Sequence, residues 1–290
     1  MLLLEFLKYK KLIDREIKKD ILEMGEKGLL RDSCEYALLS GGKRFRPIIV
    51  MMIAKLLGKD FPALQAALSV EYFHTASLIA DDLPCMDDEK ERRKKASTHK
   101  KFGEATAVLA SYTLIAKAYE MIGKNAERLQ EIGYIHSEKV CLEALKVISK
   151  CAGIEGATQG QFLDLYPPNF STETLMKIIH QKTVTLFEVS FVLGWLFGGG
   201  DIEKLEKVKE CSHFFGRAFQ IADDIEDMKE DLEKGKKINI ANAIGEDKAK
   251  KLLSENIDGC KSLLEELSLF NSSFKEALLL IERRNAMSII

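Results

Sequence analysis

The sequence predicts an all-α protein with a single domain spanning residues 1–290, and three observations lead there. Proline, which breaks helices, is confined to Pro47, Pro62, Pro84, Pro167 and Pro168. The long segments between these prolines are rich in Leu, Ala, Glu, Lys and Ile, the composition of helix formers. No alternating apolar–polar run reads as a sheet, and no linker rich in Gly, Ser or Pro divides the chain. About ten helices are expected, packed as a bundle.

Taken in order, the first segment carries Leu3, Phe6, Leu7, Leu12, Ile13, Ile17, Ile21 and Leu22 at spacings near three and four, one apolar stripe on a surface helix. The stretch GGKRFRP follows as a turn, with Pro47 placed to start the next helix. Residues 63–82, 104–122, 135–152, 172–198, 203–229, 246–268 and 273–285 read as further helices. SFVLGWLFGGG is apolar almost all round, which marks a central helix surrounded by others. The loops at Pro167-Pro168 and at Gly198-Gly199-Gly200 are short.

With 46% hydrophobic residues the chain can bury a sizeable core. Lys and Arg number 43 against 45 Asp and Glu, so the net charge of −2 gives no global attraction to nucleic acid. The cysteines Cys34, Cys85, Cys141, Cys151, Cys211 and Cys260 are scattered without a CxxC, which fits reduced thiols better than disulfides or a zinc site. The opening MLLLEFLKYKK meets an acid at Glu5 and lacks the basic start and longer apolar core of a signal peptide. No stretch approaches the roughly 20 apolar residues that cross a bilayer. A cytoplasmic protein without a membrane anchor is therefore expected.

The tetrapeptide IADD occurs twice, in SLIADDLPCMDD and in FQIADDIED. In the second copy Asp223 and Asp227 lie four residues apart, so a helix puts them on one face with Asp224 beside them. Carboxylates so crowded repel unless a cation neutralises them, and hard oxygen donors suit Mg²⁺, which shares its remaining positions with water and substrate phosphates. In the first copy Asp81 and Asp88 nearly eclipse on an ideal helix, while Asp87 lies about 120° away. Pro84 distorts that helix by clashing with the carbonyl of Ala80, so spacing leaves Asp87 and Asp88 both open as partners of Asp81 and Asp82. An acidic helix end by itself is commonly just solvated. Two of them, each following an apolar helix, form a two-sided clamp for metal.

Basic residues supply the other half. GGKRFRP offers two glycines for close backbone approach and then Lys43, Arg44 and Arg46, a turn suited to a phosphate group. ERRKKASTHKK sets Arg92 and Arg93 shortly after the first acidic motif, although a charge run is usually a solvated helix face. His74 stands seven residues before Asp81 on nearly the same helical face; alone, it reads as a core histidine. Lys182, in HQKTVTLF, interrupts an apolar helix, an unusual place for a purely structural lysine. Carboxylates for metal together with several separate cations point to a substrate carrying diphosphate.

The ordered set GGKRFRP, HTASLIADDLPCMDD, RR with THKKFGEATAVLA, GQFLDL, KT, FGRAFQIADDIED and GKK resembles the all-trans polyprenyl diphosphate synthases of the farnesyl and geranylgeranyl type, from about residue 37 to 245. The first motif, DDxxxxD with a two-residue insertion, is similar to the bacterial and plant form. The resemblance implies an all-helical bundle around a deep central cavity, usually homodimeric. It implies that Asp81, Asp82 and Asp87 face Asp223, Asp224 and Asp227 and hold several Mg²⁺ ions on an allylic diphosphate. It implies that Arg92, Lys182 and Lys237 grip that diphosphate, with Gln161 and Gln220 near the reacting allylic group. Lys43, Arg46, His74 and Arg93 match the site for the second substrate, isopentenyl diphosphate. The implied catalytic set is Asp81, Asp82, Asp87, Lys182, Gln220 and Asp223.

Product length in such a protein depends on what the growing tail meets beneath the first motif. Ala76 and Ser77 lie about one turn below Asp81. Members of the family that stop at fifteen carbons often carry a bulky aromatic where this chain has Ala76. A small residue there favours the twenty-carbon geranylgeranyl product, with farnesyl as the alternative. Phe73, a turn further down, or Tyr112 on the next helix would be the floor. Some positions depart from the family pattern: RRGxPT reads RRKKAST, GDALL reads ASYTL, and INIANAIG stands where Thr-Tyr is frequent after GKK. None of these removes a carboxylate or a diphosphate cation. A terpene cyclase would not need the second basic cluster, and a non-catalytic regulatory subunit would carry degenerate acidic motifs.

Overall fold

A computed structural model of the chain describes residues 2–283, the side chains of residues 2 and 3 excepted. The side chain of Leu3 in the expected stripe and residues 284–285 of the last expected helix therefore lie outside what is described. In chain order the helices are α1 (Leu2–Leu22), α2 (Leu29–Leu39), α3 (Phe45–Leu56), α4 (Leu64–Asp81), α5 (Thr98–Phe102), α6 (Glu104–Glu131), α7 (Ser137–Ala152) and α8 (Ala157–Leu165). They continue as α9 (Thr172–Ile178), α10 (Thr185–Phe197), α11 (Leu205–Glu226), α12 (Met228–Glu233), α13 (Ile240–Ile244), α14 (Glu246–Glu266) and α15 (Ser272–Glu282). The excess over the expected ten comes mostly from the short pieces α5, α9, α12 and α13.

The apolar pattern of α1 is realised in part: Phe6, Tyr9, Ile13, Ile17 and Ile21 are buried, while Leu7 and Leu22 are exposed. The expected central helix is α10, whose residues Thr185–Phe197 are all buried. It packs on α3, α4, α7 and α11, so the ends of α4 and α11 that carry the two acidic motifs flank one axis. The expected helix 172–198 is continuous in course but changes winding: between α9 and α10 residues Ile179–Val184 form a π turn. Such a widened turn is a recurrent feature of functional sites.

Two expectations are corrected by the structure. The sequence showed no sheet, yet a two-stranded antiparallel ribbon, β1 (Glu91–Arg92) and β2 (Lys95–Ala96), pairs Glu91 with Ala96 and Arg92 with Lys95. The charge run around it is thus a hairpin followed by α5, not a solvated helix face. Two-residue strands are too short to show a period of two, which is why no alternation announced them. Pro84, by contrast, interrupts the helix as expected. α4 stops at Asp81, and the chain turns through Leu83–Asp88 by bonds such as Met86 N–H to the Leu83 carbonyl at 2.9 Å.

One buried ion pair joins the first four helices. Arg44 precedes α3 in the left-handed region (φ 58) and is buried. Its guanidinium donates to Asp14 of α1 at 2.8 Å, to Glu71 of α4 at 2.5 Å and to the carbonyl of Leu38 in α2 at 2.5 Å. The side chains of Arg44 and Glu71 are each only 2% exposed, so neither charge can fall back on water. Glu71→Ala should destabilise the protein by about 3 kcal/mol, because it removes the buried carboxylate and leaves the guanidinium only the partly exposed Asp14 as a counter-charge. Urea denaturation would check this, and a loss below about 1 kcal/mol would place the pair among surface-like bridges.

Candidate active site

The first acidic motif forms where α4 ends. Asp82 is buried and accepts from Arg92 Nε at 3.0 Å and from Arg92 Nη2. The turn after Pro84 brings Asp87 back, its N–H donating to the Asp81 carbonyl at 2.9 Å. Asp88 instead adopts a left-handed backbone (φ 47), with its carboxylate exposed and 3.9 Å from Lys100. The alternative left open by spacing is thereby decided in placement: Asp87 joins Asp81. Burial pushes the Asp81 carboxyl up to about 6, with Lys182 opposing and Asp87 adding to the shift. Burial likewise raises Asp87, and the Lys182 charge again opposes.

Lys182 comes from the π turn. Its Nζ lies 2.5 Å from Asp164 of α8. That approach requires Gly160, since a Cβ there would stand 2.3 Å from the Lys182 backbone nitrogen. The next residue, Thr183, points to the other motif: its hydroxyl donates to Gln220 Oε1 at 2.8 Å, and Gln220 Nε2 donates to Asp224 Oδ1 at 2.8 Å. Two consecutive residues of the widened turn thus address the two acidic clusters, one by charge and one by hydrogen bonds.

In the second motif, burial pushes Asp223 up to about 7, with Asp227 and Asp224 adding repulsion and Lys43 opposing it. Asp227 caps α11 and is raised by burial and then by Asp231. Burial pushes Asp224 up to about 6 even though hydrogen bonds hold both its oxygens, Oδ1 from Gln220 and Oδ2 from the Ile240 N–H at 2.8 Å. Asp224 therefore anchors the chain beyond the motif. Lys237 is exposed, its Nζ 5.2 Å from the centre of the Phe170 ring.

The basic residues of the expected second-substrate site come together. His74 is held well below its ordinary value by burial and then by the charges of Arg46, Arg93, Arg44 and Arg92, so its imidazole is neutral. Burial lowers Arg46 to about 10, against the pull of Glu71 and Asp223. Burial lowers Lys43 as well, and Asp223 pulls it back. Arg93 reaches the same place from the hairpin, where Arg93 (φ 53) and Lys94 (φ 62) take the left-handed turn that a two-residue loop demands. Its guanidinium donates to the Gly41 carbonyl and lies so close over Gly42 that a Cβ there would meet Cζ at 2.6 Å. Arg44 is corrected: the sequence offered it to phosphate, but it faces inward to Asp14 and Glu71.

Beneath the first motif opens a cavity of about 800 Å³, lined by Phe73, Ala76, Ser77, Ile115, Tyr119 and Leu186 among others, with Asp81, Gln161 and Lys182 also on its wall. The amide atoms of Gln161 are buried and make no hydrogen bond. Ala76 and Ser77 occupy the expected wall positions. Phe73 meets Tyr119 of α6 edge to face, ring centres 5.1 Å apart, and both rings line the cavity. Tyr112 is a correction: 64% exposed, it lies outside the cavity lining. On α6 the inward face carries Ser111, Ile115 and Tyr119, a spacing of four that places Tyr112 a residue out of phase. Asp164, Thr183 and Tyr119 were missed. Asp164 and Thr183 stood inside the motifs GQFLDL and KT, whereas Tyr119 had no signal beyond helical phase.

A family model described as polyprenyl synthetase matches residues 27–257. Geranylgeranyl pyrophosphate synthase 11, chloroplastic, of Arabidopsis thaliana is 39% identical over 207 residues, which span 69% of this chain and 56% of that protein, a little over half its length. A trans-prenyltransferase of African swine fever virus (isolate Pig/Kenya/KEN-50/1950) is 32% identical over 267 residues, 90% of this chain and 78% of the viral one. Among solved structures, an FPP/GFPP synthase from Zymomonas mobilis superposes with a TM-score of 0.80 at 26% identity, covering 97% of this chain and 99% of that one. A geranyltransferase from Legionella pneumophila gives 0.82 at 26% identity and covers 96% of each. With paired acidic motifs, a converging basic cluster and matches along most of its length, the chain belongs to the polyprenyl synthetase family.

Proposed function

We propose that this protein is a Mg²⁺-dependent trans-prenyltransferase that joins isopentenyl diphosphate head to tail to an allylic diphosphate, with geranylgeranyl diphosphate as its main product. The observation that carries the reading is the juxtaposition of buried, proton-retaining carboxylates and converging cations with one apolar cavity. Carboxylates raised by burial and mutual repulsion are the donors that a hard divalent cation would relieve. Among the described residues no three His, Cys, Asp or Glu side chains are gathered into a ready-made metal cage. The fit is therefore to ions whose shells are completed by diphosphate oxygens and water, as Mg²⁺ prefers.

Asp81, Asp82 and Asp87 would hold Mg²⁺ from one side, and Asp223 with Asp227 from the other, Asp224 supporting them from behind. When bound, the ion neutralises charge on the departing diphosphate as a Lewis acid. Lys182, Arg92 and Lys237 take up the negative charge that builds as the C–O bond to the allylic carbon breaks. Gln161 and Gln220 flank the reacting carbon. Lys43, Arg46, Arg93 and neutral His74 hold isopentenyl diphosphate so that its alkene attacks the allylic cation, forming the new C–C bond. A proton then leaves the adjacent carbon for the released pyrophosphate. The apolar wall excludes water, which would otherwise trap the cation as an alcohol.

The small Ala76 and Ser77 leave the upper cavity open, and the first large obstacle, Phe73 against Tyr119, lies eight residues or about 12 Å below Asp81. Incubation with isopentenyl diphosphate, each allylic primer and Mg²⁺ should yield geranylgeranyl diphosphate, and a chelator should abolish it. Phe73→Ala should shift the products to longer chains. Farnesyl diphosphate as the end product would keep the reaction and move the floor upward; no condensation with any primer would sink the reading.

Two further outcomes are expected. Asp81, Asp223 and Asp224 keep protons in the folded chain up to about 6, 7 and 6, whereas unfolded aspartate ionises near pH 4. Between those limits the folded state binds more protons than the unfolded, so stability falls as pH rises from about 4 to about 7. Thermal melts should show a lower Tm at pH 8 than at pH 5 in chelator, and Mg²⁺ with pyrophosphate should restore it; a Tm unmoved by these additions would count against the clamp. The reading also includes a homodimer, for which the exposed Leu109 and Tyr112 on α6 and Leu142 on α7 offer apolar surface. Light scattering should return twice the chain mass, and a monomer would refute that part.

A further inference from the structure

Beyond the second acidic motif, residues 232–237 are all exposed, yet they carry Lys234, Lys236 and Lys237. What secures this stretch is one buried side chain just after it. Asn239 is 1% exposed and caps α13, its Oδ1 accepting the Asn242 N–H at 2.9 Å. Its Nδ2 donates to the Asp224 backbone carbonyl at 2.8 Å and to Asp231 Oδ2 at 2.9 Å. Both amide hydrogens and the amide oxygen are therefore in use, and no other uncharged side chain of this length supplies two donors and an acceptor except glutamine, one methylene longer.

The neighbouring bonds continue the tie. Ile240 N–H donates to Asp224 Oδ2 at 2.8 Å, Gln220 Nε2 donates to Asp224 Oδ1 at 2.8 Å, and Thr183 donates to Gln220 at 2.8 Å. A chain of hydrogen bonds thus runs from the π turn bearing Lys182 to the segment bearing Lys236 and Lys237. On the far side Asp231 accepts from the Lys236 N–H through its carbonyl at 2.8 Å, so its carbonyl and its carboxylate hold the two ends of the loop.

We propose that Asn239 is a positioning residue that fixes the Lys236–Lys237 loop in register with Lys182, so that both lysine-bearing segments meet the same diphosphate. This rests on the functional reading above, which places Lys182 and Lys237 on the allylic diphosphate. A threonine hydroxyl in its place, with a single donor, could serve Asp224 or Asp231 but not both.

The test compares Asn239→Asp and Asn239→Ala with the wild type. Asn239→Asp keeps an oxygen to cap α13, so the helix survives, but it sets a carboxylate against the Asp224 carbonyl and the Asp231 carboxylate and the tie opens. Trypsin should cut after Lys234, Lys236 and Lys237 about tenfold faster in both variants at a temperature well below their melting points. KM for the allylic diphosphate should rise about tenfold while KM for isopentenyl diphosphate stays within about twofold. Unchanged tryptic rates would overturn the tie, and faster cleavage with unchanged allylic KM would overturn its role in substrate grip. Equal rises in both KM values with a lowered melting temperature would reduce Asn239 to general stability. Absence of condensation by the wild type would instead sink the functional reading, and would take the substrate-grip role with it; the tryptic rates would still decide whether Asn239 ties the loop.

Discussion

The guanidinium of Arg44 sets the position of much that follows. Its fork holds α1, the end of α2 and the middle of α4 at a single buried point. Because that side chain is turned inward, the flanking Lys43 and Arg46 are left to meet Asp223 and His74. A buried pair of this kind adds little net stability over an apolar substitute, and its value lies in specifying one arrangement. Here that arrangement is a turn whose glycines lie under Arg93, so the α4 end, the hairpin and the start of α3 share one geometry.

The aspartates, alike in sequence, divide into groups with different duties. Asp82 is held by Arg92, and Asp224 by Gln220 and the Ile240 N–H. Asp81, Asp87 and Asp223 carry unfavourable charge that their protein partners only partly offset. The same separation runs through the arginines: Arg44 is structural, while Arg46 and Arg93 lose part of their affinity for protons through burial, a cost that a bound anion would offset. Local electrostatics, more than residue type, distinguishes support from function.

The helical class, the central position of α10 and the two acidic helix ends were legible because each rests on a pattern spread over many residues. Asp87 against Asp88 was not legible, since the turn after Pro84 is set by a few backbone bonds that no helical wheel describes. The hairpin was hidden because its strands are two residues long and its turn places Arg93 and Lys94 where glycine or asparagine would have been the signal. Arg44 could not be told from its neighbours because its partners Asp14 and Glu71 are distant in sequence. The misplacement of Tyr112 was an error of phase, which helical spacing from Ser111 and Ile115 could have corrected.

Phe73 and Tyr119, proposed above as the floor, belong to two helices, and their rings meet at 89°. A ruler built this way has no single graduation mark. Truncating either ring leaves the edge of the other in place, so the stop becomes leaky before it disappears. On the proposed reading, substitutions on α4 or on α6 would each shift product length separately, through intermediate proteins that release mixtures, while the charged mouth above stays unaltered.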